Sequence, residues 1–202
     1  LATPQGKTAV DLEGAVVSLK ELEGTIGMMR KHFGSLPEVS QDSGAAIAAG
    51  TATKLEAVWG HYNELHAALA GDDLGSAKTA MASIHKAMGK LGESDIPEVG
   101  KQPWESLNVA LELALEEVKD TADIEVARAE FERISIAVEA ALRVLGSTTP
   151  MRVMHCPMAF DGRGAKWLQS SEELKNPFYG SSMLGCGSTT EVLKPRETSN
   201  EE

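Results

Sequence analysis

The sequence predicts an all-α fold, an antiparallel helical bundle of four to five helices followed by an irregular, Gly- and Pro-rich C-terminal segment containing Met, His and Cys. Three observations predict it. Apolar residues recur at spacings of three and four along most of the chain before Pro150. Aromatic residues make up only 4% of the chain, so Ala, Leu, Val, Ile and Met must build the core, which suits closely packed helices. The breaks between the periodic stretches are short, as between antiparallel neighbours.

Five stretches carry the helical pattern, and the residues at their ends support the boundaries. Asp11 is placed to cap the first helix, and Asp72 or Asp73 the third, because a short polar side chain can accept from the free N–H groups of the first turn. Gly34 and Gly92 follow the first and third helices, where glycine commonly ends a helix. The predicted helices cover residues 11–32, 51–70, 74–91, 103–121 and 124–145.

A change in composition at Pro150 completes the division of the chain into four parts. Residues 1–50 are predicted to form an N-terminal helix and linker, and residues 51–149 the bundle core. Residues 150–190 form a Cys/His/Met segment that we expect to pack on the bundle. Residues 191–202 are polar and acidic and are predicted to be a disordered tail.

Composition and charge exclude several classes of function. The net charge of −11 leaves no basic face for phosphate backbones, so nucleic acid is not expected as a partner. No apolar run approaches the ~20 residues that span a bilayer. No charged-then-apolar leader precedes Leu1, which is expected of a mature protein or an excised fragment. The chain has no nucleophile elbow, phosphate-binding loop or zinc-protease helix motif, so we do not expect an enzyme.

The segment after Pro150 concentrates soft ligand groups. Residues 151–187 hold both cysteines, four of the eight methionines and one of the five histidines. Pro157 disfavours helix at the preceding residue. In an extended chain Met154, Cys156 and Met158 share one face, whereas His155 points to the other. Thiolate and thioether sulfurs select copper(I) over harder ions, and imidazole is also a suitable ligand.

A second stretch is placed to complete the site. Met183 and Cys186 are three residues apart, so a single helical turn would align them. The glycines around them permit tight turns that would return Cys186 toward Cys156. The sequence therefore predicts a metal site. Its candidate ligands are His155, Cys156, Met158, Met183, Cys186 and Met154, and its candidate ions are copper(I) first, with silver or zinc as alternatives.

Other interpretations of the same residues stay open. Cys156 and Cys186 could form a plain disulfide, which would contribute ~3–4 kcal/mol in the chain-entropy model and would leave no bound ion. Methionines on an apolar face commonly fill the core. His155 could also lower the pKa of Cys156 and make that thiol reactive.

Histidines and aromatic residues outside the candidate ligand set have structural interpretations. The histidines on predicted helices lack the spacing of a ligand pair and are expected on the surface or hydrogen-bonded in the core: His61, His66 and His85. Three aromatic residues flank the candidate site and are expected to pack the segment on the bundle: Trp167, Phe178 and Tyr179.

The spaced C-terminal motif also resembles a known family. It consists of His155-Cys156-Pro157-Met158-Ala159, Gly164-Ala165-Lys166-Trp167-Leu168-Gln169, Asn176-Pro177-Phe178-Tyr179-Gly180, Met183-Leu184 and Cys186-Gly187. This pattern is similar to a bacterial domain of unknown function. That domain is often fused after copper/silver efflux membrane-fusion (adaptor) proteins and also occurs alone in exported proteins. The likeness extends over about residues 52–190.

This resemblance implies a helical domain of the periplasm or cell envelope associated with heavy-metal resistance or homeostasis. The family's Cys/His/Met motif maps onto His155, Cys156, Met158, Met183 and Cys186. An efflux adaptor or another envelope protein is the implied partner. The chain lacks the adaptor's barrel and long hairpin, so adaptor function itself is not implied. Residues 1–50 do not match the family pattern.

Overall fold

The computed structural model describes residues 46–199. Four long helices occupy most of this part of the chain. They are α1 (Ala49–Ala70), α2 (Leu74–Met88), α3 (Glu98–Val118) and α4 (Ile124–Leu145). Each helix packs on its neighbour in the chain, and α1 also contacts α4, so the four form a bundle. The second to fifth predicted helices are thus confirmed. The helix predicted over residues 11–32 lies outside the described residues.

Local sequence signals account for most helix boundaries. Asp73, one of the two predicted caps, begins α2, and its carboxylate accepts from the Ser76 N–H at 2.9 Å. Asp123 caps α4 in the same way, accepting from Glu125 N–H at 3.0 Å. Gly146 ends α4 with φ of 83°, a conformation that favours glycine.

Helix α3 begins one turn earlier than predicted. The sequence placed its start at Pro103, because proline lacks the N–H that an inner helical position needs. In the structure α3 starts at Glu98, directly after Pro97, and Pro103 lies inside the helix. Only one backbone hydrogen bond is forgone near the N-terminus, and packing of the helix on α4 outweighs that loss.

The prediction of an all-α fold is wrong, because residues 46–199 contain five strands in two sheets and so form a mixed α/β structure. The strands are β1 (Ile47–Ala48), β2 (Met151–Cys156), β3 (Ala165–Gln169), β4 (Ser188–Leu193) and β5 (Thr198–Ser199). β2 lies between β3 and β4, and both pairings are antiparallel. β1 and β5 form a separate two-stranded parallel sheet. Short turns are also present at Glu93–Asp95, Ala159–Gly162 and Gly180–Ser182.

The predicted disordered tail contains strand structure. β4 has only one buried residue, Leu193, so its sequence lacks the apolar alternation that marks a strand. Backbone hydrogen bonds with β2, and not buried side chains, therefore hold β4 in the sheet. Residues 194–199 then return to the helices. Arg196 donates to the carbonyls of Arg143 and Val144 at 2.7 and 2.8 Å, and so caps the C-terminal end of α4.

The three-stranded sheet packs on the bundle through aromatic side chains. Tyr62 of α1 bonds to Ser135 of α4 at 2.7 Å, and its hydroxyl accepts from the Leu168 N–H of β3 at 3.1 Å. Burial raises the pKa of Tyr62, so the phenol stays neutral. Phe131 stacks on Tyr62 at 5.4 Å between ring centroids. Helices and sheet therefore share one hydrophobic core.

No helix among residues 46–199 combines the length and apolar character needed to cross a bilayer.

One carboxylate in α4 lacks a full set of partners. Glu130 is only 4% exposed, and one of its oxygens accepts from Arg133 at 2.5 Å. Its other oxygen is buried without a hydrogen-bond partner. Burial raises the pKa of Glu130 above its usual 4.5, so the ionised form is destabilised in the folded protein.

We predict that Glu130→Met raises the free energy of unfolding at pH 7 by about 1 kcal/mol, because it removes an incompletely paired buried charge. The gain should shrink as the pH falls toward the ordinary carboxyl range, where Glu130 becomes protonated and its cost disappears. Urea unfolding at pH 7 and pH 4 measures both effects. Glu116→Met on the exposed face of α3 is the control, with a change within about 0.5 kcal/mol. Equal effects of Glu130→Met and Glu116→Met on the free energy of unfolding would contradict a destabilising buried charge at Glu130.

Candidate functional site

The two cysteines meet at one end of the three-stranded sheet. Cys156 is the last residue of β2, where it pairs with Ala165 of β3. Cys186 lies in the loop that leads into β4. The two Sγ atoms are 3.1 Å apart, and both thiols are free. The return of Cys186 to Cys156, expected from the glycines, is therefore present in the structure.

The two thiols differ in access to solvent. Cys156 is fully buried, whereas Cys186 is half-buried. Open space surrounds the position of a Cβ on Gly185. Gly187 has φ of 135°, and a Cβ there would lie 2.9 Å from both the His155 carbonyl oxygen and the Trp167 ring. Only glycine allows the loop to approach the strand this closely, and this approach brings Cys186 to Cys156.

Asn176 holds the Cys186 loop in place. Its side chain is completely buried, and its amide nitrogen donates to the Cys186 carbonyl at 2.7 Å. The side-chain oxygen accepts from the Phe178 N–H at 2.8 Å. The backbone N–H of Asn176 donates to the Leu184 carbonyl at 2.8 Å. The two sides of the loop are thus joined by a buried amide whose nitrogen and oxygen are both hydrogen-bonded.

Tyr179 and Met158 contact the thiol pair from the other side. The Tyr179 hydroxyl donates to the Met158 carbonyl at 2.6 Å. The Met158 N–H in turn donates to the sulfur of Cys186. The hydrogen bond between Cys186 and Cys156, and then burial, raise the pKa of Cys186, whereas the hydrogen bond with the Met158 backbone lowers it. Burial and the two nearby sulfurs raise the pKa of Tyr179.

The predicted thioether ligands occupy different environments. Met158 and Met183 are 50% and 37% exposed; Met158 lies two residues after Cys156, and Met183 lies three residues before Cys186. Met154 is 1% exposed, and its sulfur accepts from the Thr189 hydroxyl at 3.3 Å. Met154 therefore belongs to the core beneath the sheet, whereas the other two methionines are exposed to solvent.

His155 does not join the thiols. It follows Met154 and precedes Cys156 in β2, so its side chain points to the opposite face. Its ring lies over Gly164, where a Cβ would come within 2.8 Å of Nε2. Among residues 46–199, no three or more His, Cys, Asp or Glu side chains are grouped to hold a metal ion. Activation of Cys156 by His155, one of the hypotheses from the sequence, has no geometric support.

An ion-pair network anchors the loop that carries the site. Arg128 of α4 is buried and donates to Asp72 at 2.5 Å and to the Pro177 carbonyl at 2.9 Å. Asp72 also accepts from the N–H of Ser181 at 2.9 Å. Gly180 has φ of 52°, and a Cβ there would overlap the Asp72 carboxylate. The network fixes residues 177–181 to the turn between α1 and α2.

The interpretation of the remaining histidines and aromatics is confirmed. His66 is buried and donates to the Lys175 carbonyl at 2.7 Å, while burial lowers its pKa to about 4. The other two histidines are paired at the surface with Glu64 and Glu112. Phe178 contacts Phe131 of α4 at 5.9 Å and so packs the segment on the bundle.

The sequence did not identify Asn176, Asp72 or Tyr179 as residues that shape the site. Asn176 was noticed only as a member of the spaced motif, and Tyr179 was expected only to pack the segment on the bundle. One signal for Asn176 was available in the sequence. This residue stands directly before Pro177 and Phe178, and an asparagine that is buried among apolar neighbours must have hydrogen-bond partners.

A comparison with known protein families gives a match over part of the chain. Residues 58–149 match a family described as "Protein of unknown function (DUF3347)". The matched residues run from α1 to the end of the loop after α4 and stop before β2, so the match covers the bundle and not the two cysteines. No curated protein and no solved structure matches the chain significantly. The bundle is thus similar to a domain of unknown function.

We predict that Asn176→Ala lowers the free energy of unfolding by about 1–3 kcal/mol, because buried backbone groups lose their partners. The loop would also hold Cys186 less firmly, so oxidation of the reduced protein to a disulfide should slow. Urea unfolding and thiol counting over time measure the two effects. Asn108→Ala is the control, because Asn108 is hydrogen-bonded only to Glu112 on an exposed surface of α3. A fully stable Asn176→Ala variant would rule out this role.

We predict that Asp72→Asn lowers the free energy of unfolding at pH 7 by roughly 0.5–1 kcal/mol, a small effect because the carboxylate is exposed to screening solvent. Hydrogen bonds from Ser181, and then Arg128, lower the pKa of Asp72 from 3.8 to about 2. Because the folded pKa is depressed, this stabilisation is present above pH 3.8 and is lost as the pH falls through about 2.

Thermal unfolding of wild type and Asp72→Asn across this range tests the pH dependence. Asp120→Asn, at an exposed carboxylate after α3, is the matched control. A difference between wild type and Asp72→Asn that persisted at the acid end would contradict the proposed network.

Proposed function

We propose that this domain is a binding protein for a soft metal ion, copper(I) or silver, and that Cys156 and Cys186 are its principal ligands. The single observation that carries the proposal is the 3.1 Å separation of two free thiols contributed by distant parts of the chain. Thiolate ligands select copper(I) over harder ions. If the two sulfurs moved slightly farther apart than 3.1 Å, one ion could bind between them.

The surroundings of the thiols support a soft ion over a hard one. The exposed methionines Met158 and Met183 offer thioether sulfurs, which favour copper(I) and silver. The Met158 N–H already donates to the sulfur of Cys186, a contact of the kind that stabilises a metal-bound thiolate. His155 and Met154 are less suitable ligands, since one faces away from the thiols and the other is bonded in the core.

The same proposal places the domain in the periplasm or cell envelope, as a partner of an efflux adaptor or another envelope protein in metal resistance. This part rests on the resemblance of the motif to the domain found beside copper/silver efflux adaptors. The proposed role is sequestration or transfer of the ion, because the two thiols are ligands of the type that soft ions prefer.

A second function is favoured by the same short distance. An exported domain could carry Cys156–Cys186 as a permanent disulfide that fixes the C-terminal segment to β2, and it would then be a structural or interaction module without a metal. Counting free thiols in the protein as isolated separates the two functions.

We predict that the reduced protein binds one copper(I) in competition with a chelator and that the double variant Cys156→Ser, Cys186→Ser loses this binding. Met158→Leu and Met183→Leu should each weaken affinity by about tenfold or less, because thioethers are the secondary ligands. Affinity should rise with pH, since the raised pKa of Cys186 makes protons compete with the ion.

The control is His155→Gln, which should leave copper(I) affinity within about twofold of wild type because the ring faces away from the thiols. Circular dichroism confirms that each variant is folded. Undiminished affinity in the double cysteine variant would eliminate the site.

A further inference from the structure

The difference in exposure between the two thiols gives them different chemistry. Cys186 is half-buried in a loop, between Gly185 with open space around it and Gly187. Cys156 is fully buried at the end of a central strand. A reagent from solvent can therefore reach Cys186 and not Cys156, while Cys156 reaches only the sulfur of Cys186.

We infer that the thiol pair exchanges with small-molecule disulfides of the glutathione class, with Cys186 as the entry sulfur and Cys156 as the resolving sulfur. The exchange itself needs no metal. Its consequence for metal binding rests on the proposed function: closing the pair into a disulfide removes both thiolate ligands, so the redox state would decide whether the ion can bind.

The reaction proceeds in two balanced steps. Cys186 gives its proton to solvent, and its thiolate attacks one sulfur of the external disulfide. A Cys186–glutathione bond forms, and one glutathione thiolate leaves and takes up a proton. Cys156 then loses its proton and attacks the Cys186 sulfur, expelling the second glutathione. The two protein sulfurs are oxidised by two electrons in total, and the external disulfide is reduced to two thiols.

The short distance between the two sulfurs favours attack of Cys156 on Cys186, so the mixed disulfide with glutathione should not accumulate. The sulfur of Cys156 lies 3.1 Å from that of Cys186, about 1 Å more than a disulfide bond of ~2.0 Å. Asn176 holds the carbonyl of Cys186, so the loop cannot drift away while the small molecule is attached.

The test is incubation of the full reduced chain, without metal, with oxidised glutathione, followed by mass spectrometry. Wild type should lose the mass of two hydrogen atoms and carry no adduct. Cys156→Ser should gain one glutathionyl group at Cys186 and keep it, because the resolving thiol is absent. Cys186→Ser should react at least roughly tenfold more slowly, since access limits exchange at the buried thiol.

Cys156→Ala repeats the first variant with an apolar residue in the core, in case serine at this buried position disturbs folding. Equal rates of adduct formation in the Cys156 and Cys186 variants, or a stable adduct on wild type, would overturn the assigned roles.

A second arm separates this inference from the proposed function. Wild type loaded with copper(I) should react with oxidised glutathione at least roughly tenfold more slowly than the metal-free protein, because a metal-bound thiolate is a poorer nucleophile. Exchange with the predicted asymmetry in a protein that binds no copper(I) would refute metal binding and support the thiol chemistry. Copper(I) binding without an adduct in either Cys156 variant would refute the entry role of Cys186 and leave the proposed function standing.

Discussion

The C-terminal segment depends on one layer of aromatic side chains between α4 and the three-stranded sheet. Phe131 of α4 contacts Tyr62 on one side and Phe178 on the other, and Trp167 of β3 meets Phe178 edge to face at 5.8 Å. Aromatic residues make up only 4% of the chain, and several of them meet at this interface. Because each aromatic ring buries a large apolar area, the interface buries much of the apolar surface of the sheet. This interface buries the apolar face of the three-stranded sheet against the helices, and that burial stabilises the strands.

Polar groups at the edge of that layer determine where the thiols lie. Arg128 fixes residues 177–181 to the helices. Asn176 joins its own end of the loop to the end that carries Cys186. The side chains of Arg128 and Asn176 are buried and hydrogen-bonded. A displaced loop would leave these donors and acceptors unpaired, so the position of the loop is specific. Glycines at positions 180 and 187 complete the arrangement by admitting close backbone approach. The distance between the sulfurs is therefore a property of the whole loop and not of the two cysteines.

The sequence predicted the helices well, because their boundaries are local. The periodicity of α4 and the cap at Asp73 can be read from neighbouring residues. The sheet could not be predicted in the same way. β4 is almost entirely polar and exposed, and β3 buries four of its five residues without alternation, so neither shows the pattern of a half-buried strand. Their pairing with β2 joins residues far apart in the chain. The meeting of the thiols was predicted from glycine positions. The sequence also placed His155 on the opposite face of an extended chain but kept it among the candidate ligands, and the strand and the ring position over Gly164 then separated it from the thiols.

The pairing of β1 with β5 has a mechanical consequence. The two strands are parallel, with Ile47 beside Thr198 and Ala48 beside Ser199. Tension that draws the chain before Ile47 away from the chain after Ser199 would slide the strands past each other lengthwise. The hydrogen bonds between them would then share the load, instead of breaking singly as in an unzipped hairpin. Because this two-residue pair joins the two ends of the described chain, such tension would load its hydrogen bonds before it reached the helices and the thiol loop.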